Sequence, residues 1–234
     1  MKKLFIICMF ACWALPAAAA TISVRIAFQL NGPLTELQAQ VKQGNAIQNK
    51  INPGVGRELW ANVIHGPNVN SASLVTYYED MAQYAQAIAN QQASSEWGEF
   101  IANFPIDRFP ITYNGMSQTL VGGDSDLARG GEALVIFGFN TTAGPAGLAE
   151  RVQQAVEIQS RVNPKATISM SVPTIAGDNV NGAAVFTRYP SLADWAEGGE
   201  KLAASSEWAE FIAAFPADQY SIGYQGLSEA VSLE

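Results

Sequence analysis

Few side chains in this sequence are equipped for chemistry, and their spacing narrows the options further. The 234 residues hold one histidine, His65, and two cysteines, Cys8 and Cys12. One imidazole can serve as a general base. It cannot build a multi-histidine metal site, and any serine triad would have to use it. A lone histidine followed by Gly66-Pro67 is more commonly a solvated turn residue. Both cysteines fall within the first twenty residues, so a chain without that segment has no thiolate nucleophile, disulfide or cysteine-bound zinc. No Gly-x-Gly-x-x-Gly, P-loop or Gly-x-Ser-x-Gly pattern occurs. The stretch from Ala176 to Gly182 lacks the acidic spacing of a calcium loop.

An internal repeat supplies the remaining candidates. Ser94-Ser95-Glu96-Trp97-Gly98-Glu99-Phe100-Ile101-Ala102 returns as Ser205-Ser206-Glu207-Trp208-Ala209-Glu210-Phe211-Ile212-Ala213, an offset of 111 residues. Fifteen of 24 positions are identical between 94–117 and 205–228. Residues alike in both copies serve the shared fold first, which assigns Trp97/Trp208, Phe100/Phe211, Phe104/Phe215 and Tyr113/Tyr224 to packing. Polar residues present in one copy only are better candidates for a site. Arg25 is matched by Ile136, His65 by Ala176, Trp60 by Ser171 and Asn62 by Pro173, and Tyr77 is matched by Arg188. An inward arginine could hold a carboxylate or phenolate; its structural alternative is a pair with an internal acid or a place at a rim. Arg25, Trp60 and Arg188 are the ligand-binding candidates. His65, Asn62 and Tyr77 are the catalytic candidates, with ordinary half-wet strand positions as their alternative.

The elements that must position these residues follow from periodicity. Residues 1–20, with Lys2-Lys3, an apolar run and Ala17 to Ala20, have the pattern of a secretory signal peptide, predicting a periplasmic or secreted protein that leaves no membrane segment after cleavage. Beyond it lie 11 basic and 21 acidic residues, a formal charge of −10, which argues against nucleic-acid partners. Ile22, Val24, Ile26 and Phe28 alternate with polar or small residues, as in a strand with one buried face. A helix to about Ile51, strands at Leu59 to His65 and Ser73 to Tyr78, a helical stripe broken near Ser94-Ser95, and a last strand with Phe109, Ile111 and Tyr113 complete the unit. The order is β-α-β-β-α-β, a ferredoxin-like unit, over residues 21–121. It recurs over 132–234, with a polar linker at 122–131. Each sheet has one face without helices, and a tandem copy can cover it by closing a barrel.

This unit, with its aromatic second helix, the Phe104-Pro105 step and the Tyr113-Asn114-Gly115 strand, resembles the dimeric α/β barrel superfamily, including antibiotic-biosynthesis-type monooxygenases and NIPSNAP-like proteins. The resemblance covers essentially all of residues 21–234. It implies an α+β fold in which two tandem ferredoxin-like units form an intramolecular barrel, as a monomeric pseudo-dimer or a higher homo-oligomer. It also implies a ligand site between sheet and helices or inside the barrel. Some barrel relatives bind haem through a histidine, but no residue here matches that ligand position, so no cofactor is expected. Three functions remain open: binding of a small hydrophobic or aromatic ligand, cofactor-independent oxygenation of an aromatic substrate, or a non-catalytic interaction module whose barrel is filled by side chains.

Overall fold

The computed structural model describes residues 21–66, 70–122, 131–175 and 182–233. The predicted signal peptide, Pro67, residues 123–130 of the predicted linker and residues 176–181 lie outside them. The first half runs β1 (Ile22–Gln29), α1 (Leu34–Ile51), β2 (Gly56–Ile64), β3 (Ser71–Tyr78), α2 (Met81–Ala93), α3 (Ser95–Ala102) and β4 (Ile111–Val121). The second repeats it as β5 (Ala133–Thr141), α4 (Pro145–Val162), β6 (Thr167–Ile175), β7 (Gly182–Tyr189), α5 (Leu192–Ala204), α6 (Ser206–Ala213) and β8 (Tyr220–Val231).

The break in the aromatic helical stripe is a true helix restart. Ser94 Oγ accepts from the Trp97 amide at 3.2 Å, and Ser205 Oγ accepts from the Trp208 amide at 3.2 Å. Each serine satisfies an amide that the first turn of a new helix leaves without an intrahelical partner. Glu96 and Glu207 sit in those first turns, where the helix dipole favours negative charge.

The eight strands form one closed barrel in the order β1-β3-β2-β8-β5-β7-β6-β4. Every pairing is antiparallel. Within each half the strands lie in the order 4-1-3-2, and the last strand of each half hydrogen-bonds to the second strand of the other. Thus β8 pairs with β2 and β4 with β6. These two seams remove the sheet edges that a single unit would expose. They also explain why the last strand is longer than expected. Phe109 precedes β4 rather than lying in it and is wholly buried among Leu37, Val41 and Phe104. The strand runs on to Val121 because β6 pairs with it from Met116 to Val121, past Gln118 where its pairing with β1 ends.

Alternation along each strand divides the molecule into two environments. One face packs against helices: Phe28, Leu59 and Ala72 against Leu37 and Val41 of α1, and Met170 and Val185 against Leu148 and Val152 of α4. A fully buried leucine such as Leu37 or Leu148 contributes on the order of 2 kcal/mol. The helix aromatics read as core are only half-buried. Trp97, Phe100 and Phe104 stack in series at 5.3 and 6.1 Å, and Trp208, Phe211 and Phe215 do so at 5.1 and 6.2 Å. The other face of every strand points into the barrel lumen.

Candidate ligand site in the barrel lumen

Arg25, opposite the helix-packed Val24 and Ile26 on β1, projects into the lumen. Two cavities share it. An inner one of about 120 Å³ also includes Trp60, Tyr77 and Arg188, and a wider one of about 490 Å³ includes Asn62, Ser71, Phe186 and Tyr224. All six candidates from the sequence therefore belong to the lumen wall or the layer directly behind it. They separate into two groups with different chemistry.

The inner group is a closed network. Arg188 Nη1 donates to Glu58 Oε2 at 3.0 Å, and Arg188 Nη2 donates to the Tyr77 hydroxyl at 2.6 Å. Tyr77 in turn donates to Glu58 Oε2 at 2.8 Å, and the Trp60 indole donates to the same oxygen at 3.0 Å. The guanidinium also lies over the Trp60 ring, 5.1 Å from its centroid, an attraction strengthened by the dry setting. Burial pushes the Tyr77 phenol well above its ordinary pKa. Tyr77 and Arg188 occupy equivalent positions of the two copies, so their contact marks the pseudo-twofold axis. This group is arranged to join the two halves. Glu58 is the residue that sequence reasoning missed, although its counterpart Ser169 made it an asymmetric polar position like the others.

The outer group is different. Arg25 Nε donates to Ser73 Oγ at 3.1 Å, and its guanidinium lies over the Tyr113 ring at 5.4 Å. Among the described residues no carboxylate lies within ion-pair distance of it. Burial lowers its pKa, but an arginine holds its proton in proteins, so the lumen carries a positive charge.

His65 corrects the solvated-turn expectation. It follows the last residue of β2 yet is only 1% exposed. Its Nε2 bonds Ser228 Oγ at 2.8 Å, and its Nδ1 bonds the Tyr224 hydroxyl. Burial first, and the charge of Arg25 second, push the imidazole down to about 4, so it is neutral at physiological pH. Ser228 Oγ donates to Asn62 Oδ1 at 3.0 Å, and Asn62 Nδ2 donates to Ser71 Oγ at 2.6 Å. The structure thus joins His65 to Asn62 through Ser228 and leaves Tyr77 in the other network. The catalytic trio does not converge.

Tyr113 and Tyr224 correct a second expectation. Both are lumen residues rather than helix-packing core. The glycine two residues after each has a direct steric cause. A Cβ on Gly115 would overlap the Tyr113 hydroxyl, and one on Gly226 would overlap the His65 ring. Gly226→Ala is therefore expected to cost about 1–3 kcal/mol in chemical denaturation. In a His65→Ala background, which empties that space, the same change is expected to cost well under about 1 kcal/mol.

A third cavity, about 330 Å³, lies between the first-half sheet and its helices, beside Gly44, Asn45, Gln48, Arg57, Gln91 and Trp97. Arg57 there is held by Asn45 at 3.1 Å and Gln48 at 3.2 Å. At four of these positions the second copy carries Ala155, Val156, Ile168 and Leu202, apolar side chains where the first half has Gly44 and the polar Asn45, Arg57 and Gln91. Among the described residues no group of three or more histidine, cysteine or acidic side chains is placed to hold a metal ion.

Comparison with known proteins matches this architecture over nearly its whole length. No family model matches the chain, and no curated protein does. Among solved structures, a candidate monooxygenase from Fusobacterium nucleatum superposes with a TM-score of 0.60 at 11% identity, over 93% of this chain and 94% of that one. A candidate monooxygenase from Lactobacillus acidophilus gives 0.58 at 9% identity, over 92% and 95%. A haem-binding protein from Thermus thermophilus gives 0.52 at 8% identity, over 92% of each. The fold is that of the dimeric α/β barrels, completed here by one chain.

Because haem is bound by one such neighbour, its fit to this chain can be judged from the residues. The sole histidine is buried, and Ser228 and Tyr224 engage both its ring nitrogens. It does not line any of the three cavities described above. The residues present do not fit a histidine-ligated haem.

Proposed function

We propose that this chain is an exported protein that binds a small aromatic or otherwise apolar ligand with an anionic oxygen in the lumen of its barrel. The observation that carries this reading is Arg25. Of the two lumen arginines, Arg188 has Glu58, whereas Arg25 has a serine, an aromatic face and a cavity of about 490 Å³. That volume suits a small-molecule site, and a barrel filled by side chains, as an interaction module would have, would not leave it. On an acidic chain this half-buried positive charge attracts an anion, and the apolar walls of Ile136, Phe139 and Phe186 favour a ring. The residue 1–20 pattern supports export. Closure by a single chain supports a monomeric pseudo-dimer built from repeats at 21–121 and 132–234.

Titration calorimetry with benzoate tests the reading. Wild type is expected to bind, and Arg25→Met to bind about ten- to a hundredfold more weakly. Arg108→Met, which removes a cation paired with Glu36 outside the lumen, is expected to leave affinity unchanged. Equal affinity in wild type and Arg25→Met would refute the assignment.

A second reading, oxygenation of an aromatic substrate without a cofactor, is favoured by the neighbours described as monooxygenases and by one described as anthrone oxidase-like, which aligns at a TM-score of 0.53 and 11% identity. Oxygen uptake with anthrone, lost in Asn62→Ala, would support it. Substrate binding without oxygen uptake would leave the binding reading alone.

A further inference from the structure

Along the lumen wall, the side-chain hydrogen bonds that link Ser71 to Tyr224 run in one direction. Asn62 donates to Ser71, and Ser228 donates to Asn62. A serine hydroxyl has one proton. With that proton given to Asn62, Ser228 can only accept from His65 Nε2. The neutral imidazole therefore carries its proton on Nε2 and presents a lone pair at Nδ1. The Tyr224 hydroxyl bonded there is then the donor. Tyr224 also lines the wider cavity. With its proton committed inward, it offers a ligand only lone pairs.

We propose that His65 sets Tyr224 as an obligate acceptor, so that the lumen selects aromatic anions bearing a free hydroxyl over their O-methyl ethers. The ligand's anionic oxygen goes to Arg25 and its hydroxyl proton to Tyr224. This rests on the lumen reading above. His65 acts through Tyr224 and is a positioning residue. The seat it needs is provided by Gly226, whose lack of a Cβ admits the ring. The arrangement depends on residues from both copies, since His65 and Asn62 belong to the first and Tyr224 and Ser228 to the second.

The single histidine makes the proton assignment directly observable. In protein labelled with 15N-histidine, the Nε2–H tautomer is expected at neutral pH. An Nδ1–H tautomer would mean that the chain runs the other way, with Tyr224 accepting from His65 and free to donate, and would overturn the proposal without reference to any ligand. The ligand arm uses benzoate, 4-hydroxybenzoate and 4-methoxybenzoate. 4-Hydroxybenzoate is expected to bind about tenfold more tightly than benzoate, and 4-methoxybenzoate no more tightly than benzoate. Tyr224→Phe should erase the advantage of the hydroxyl, so that 4-hydroxybenzoate binds this variant no more tightly than benzoate does. His65→Gln, whose amide can accept from Tyr224 and donate to Ser228, should keep it. His65→Leu, which leaves the tyrosine proton unclaimed, should abolish or reverse it. If all three benzoates bind alike to wild type, selection by Tyr224 is wrong while the lumen reading stands. If none binds, the lumen reading fails first and the proposed selectivity with it.

Discussion

Glu58→Ala is expected to destabilise the protein by about 3–5 kcal/mol, among the largest effects available from one substitution. Glu58 Oε2 receives hydrogen bonds from three side chains, Trp60, Tyr77 and Arg188, and it is the ion-pair partner of Arg188. Arg188 is 7% exposed. Removing the carboxylate strands a guanidinium in a setting that cannot hydrate it, and leaves the Tyr77 and Trp60 donors without that acceptor. Glu58→Gln keeps the volume but loses the charge, so it should remain costly. The double variant Glu58→Leu/Arg188→Met removes both charges together and should recover most of the loss, since a buried ion pair adds little over apolar residues of similar size. Urea denaturation of wild type, Glu58→Leu, Arg188→Met and the double variant forms the cycle, and a large coupling energy between positions 58 and 188 is the expected result. If Glu58→Ala unfolds at the wild-type midpoint, the inner network contributes nothing to holding the two halves together.

Acid should weaken the wild-type protein through His65 before most carboxylates protonate. The imidazole is held at about 4 in the folded state, against an ordinary value of 6.5. The unfolded chain therefore binds the extra proton between these values, and stability rises with pH across that window. The contribution is complete above about 6.5 and disappears as pH falls through about 4, a change on the order of 3 kcal/mol. The groups around the ring fit this direction. Arg25 repels a second positive charge, Ser228 and Tyr224 are neutral, and protonation of Nδ1 would break the bond from Tyr224. The prediction is best read as a difference, because the acidic residues common to both proteins cancel. Wild type minus His65→Gln should slope upward from pH 4 to 6.5 and be flat above. A flat difference throughout would mean that the ring is hydrated and not buried.

The architecture was legible because it is written twice. Strand alternation from Ile22 to Gln29 placed Arg25 opposite the helix-packed face, and the tandem copy supplied the cover that a one-faced sheet requires. Comparing the copies also drew attention to Trp60, Asn62, Tyr77 and Arg188, all of which line the lumen. The same comparison misled at Tyr113 and Tyr224. Likeness between copies reports a shared backbone environment, but each tyrosine meets a different partner, Arg25 in one case and His65 in the other. Those partners come from the surrounding strands, and nothing local to Tyr113-Asn114-Gly115 encodes them. His65 was misplaced for a related reason. Gly66-Pro67 describes the backbone that follows it, whereas its side chain fills the space over Gly226, far away in sequence. Glu58 was within reach, since Ser169 made the position asymmetric, but its role required knowing that Arg188 would cross the pseudo-twofold axis to meet it.

The central claim, that the lumen receives an anionic ligand at Arg25, is tested most directly by a crystal structure of the benzoate complex. The expected density places the ring between Phe186 and Tyr224, with the carboxylate on the Arg25 guanidinium. Benzoate ordered instead in the cavity between the first-half sheet and its helices, beside Arg57, would contradict the account and move the site to the other face of the same sheet.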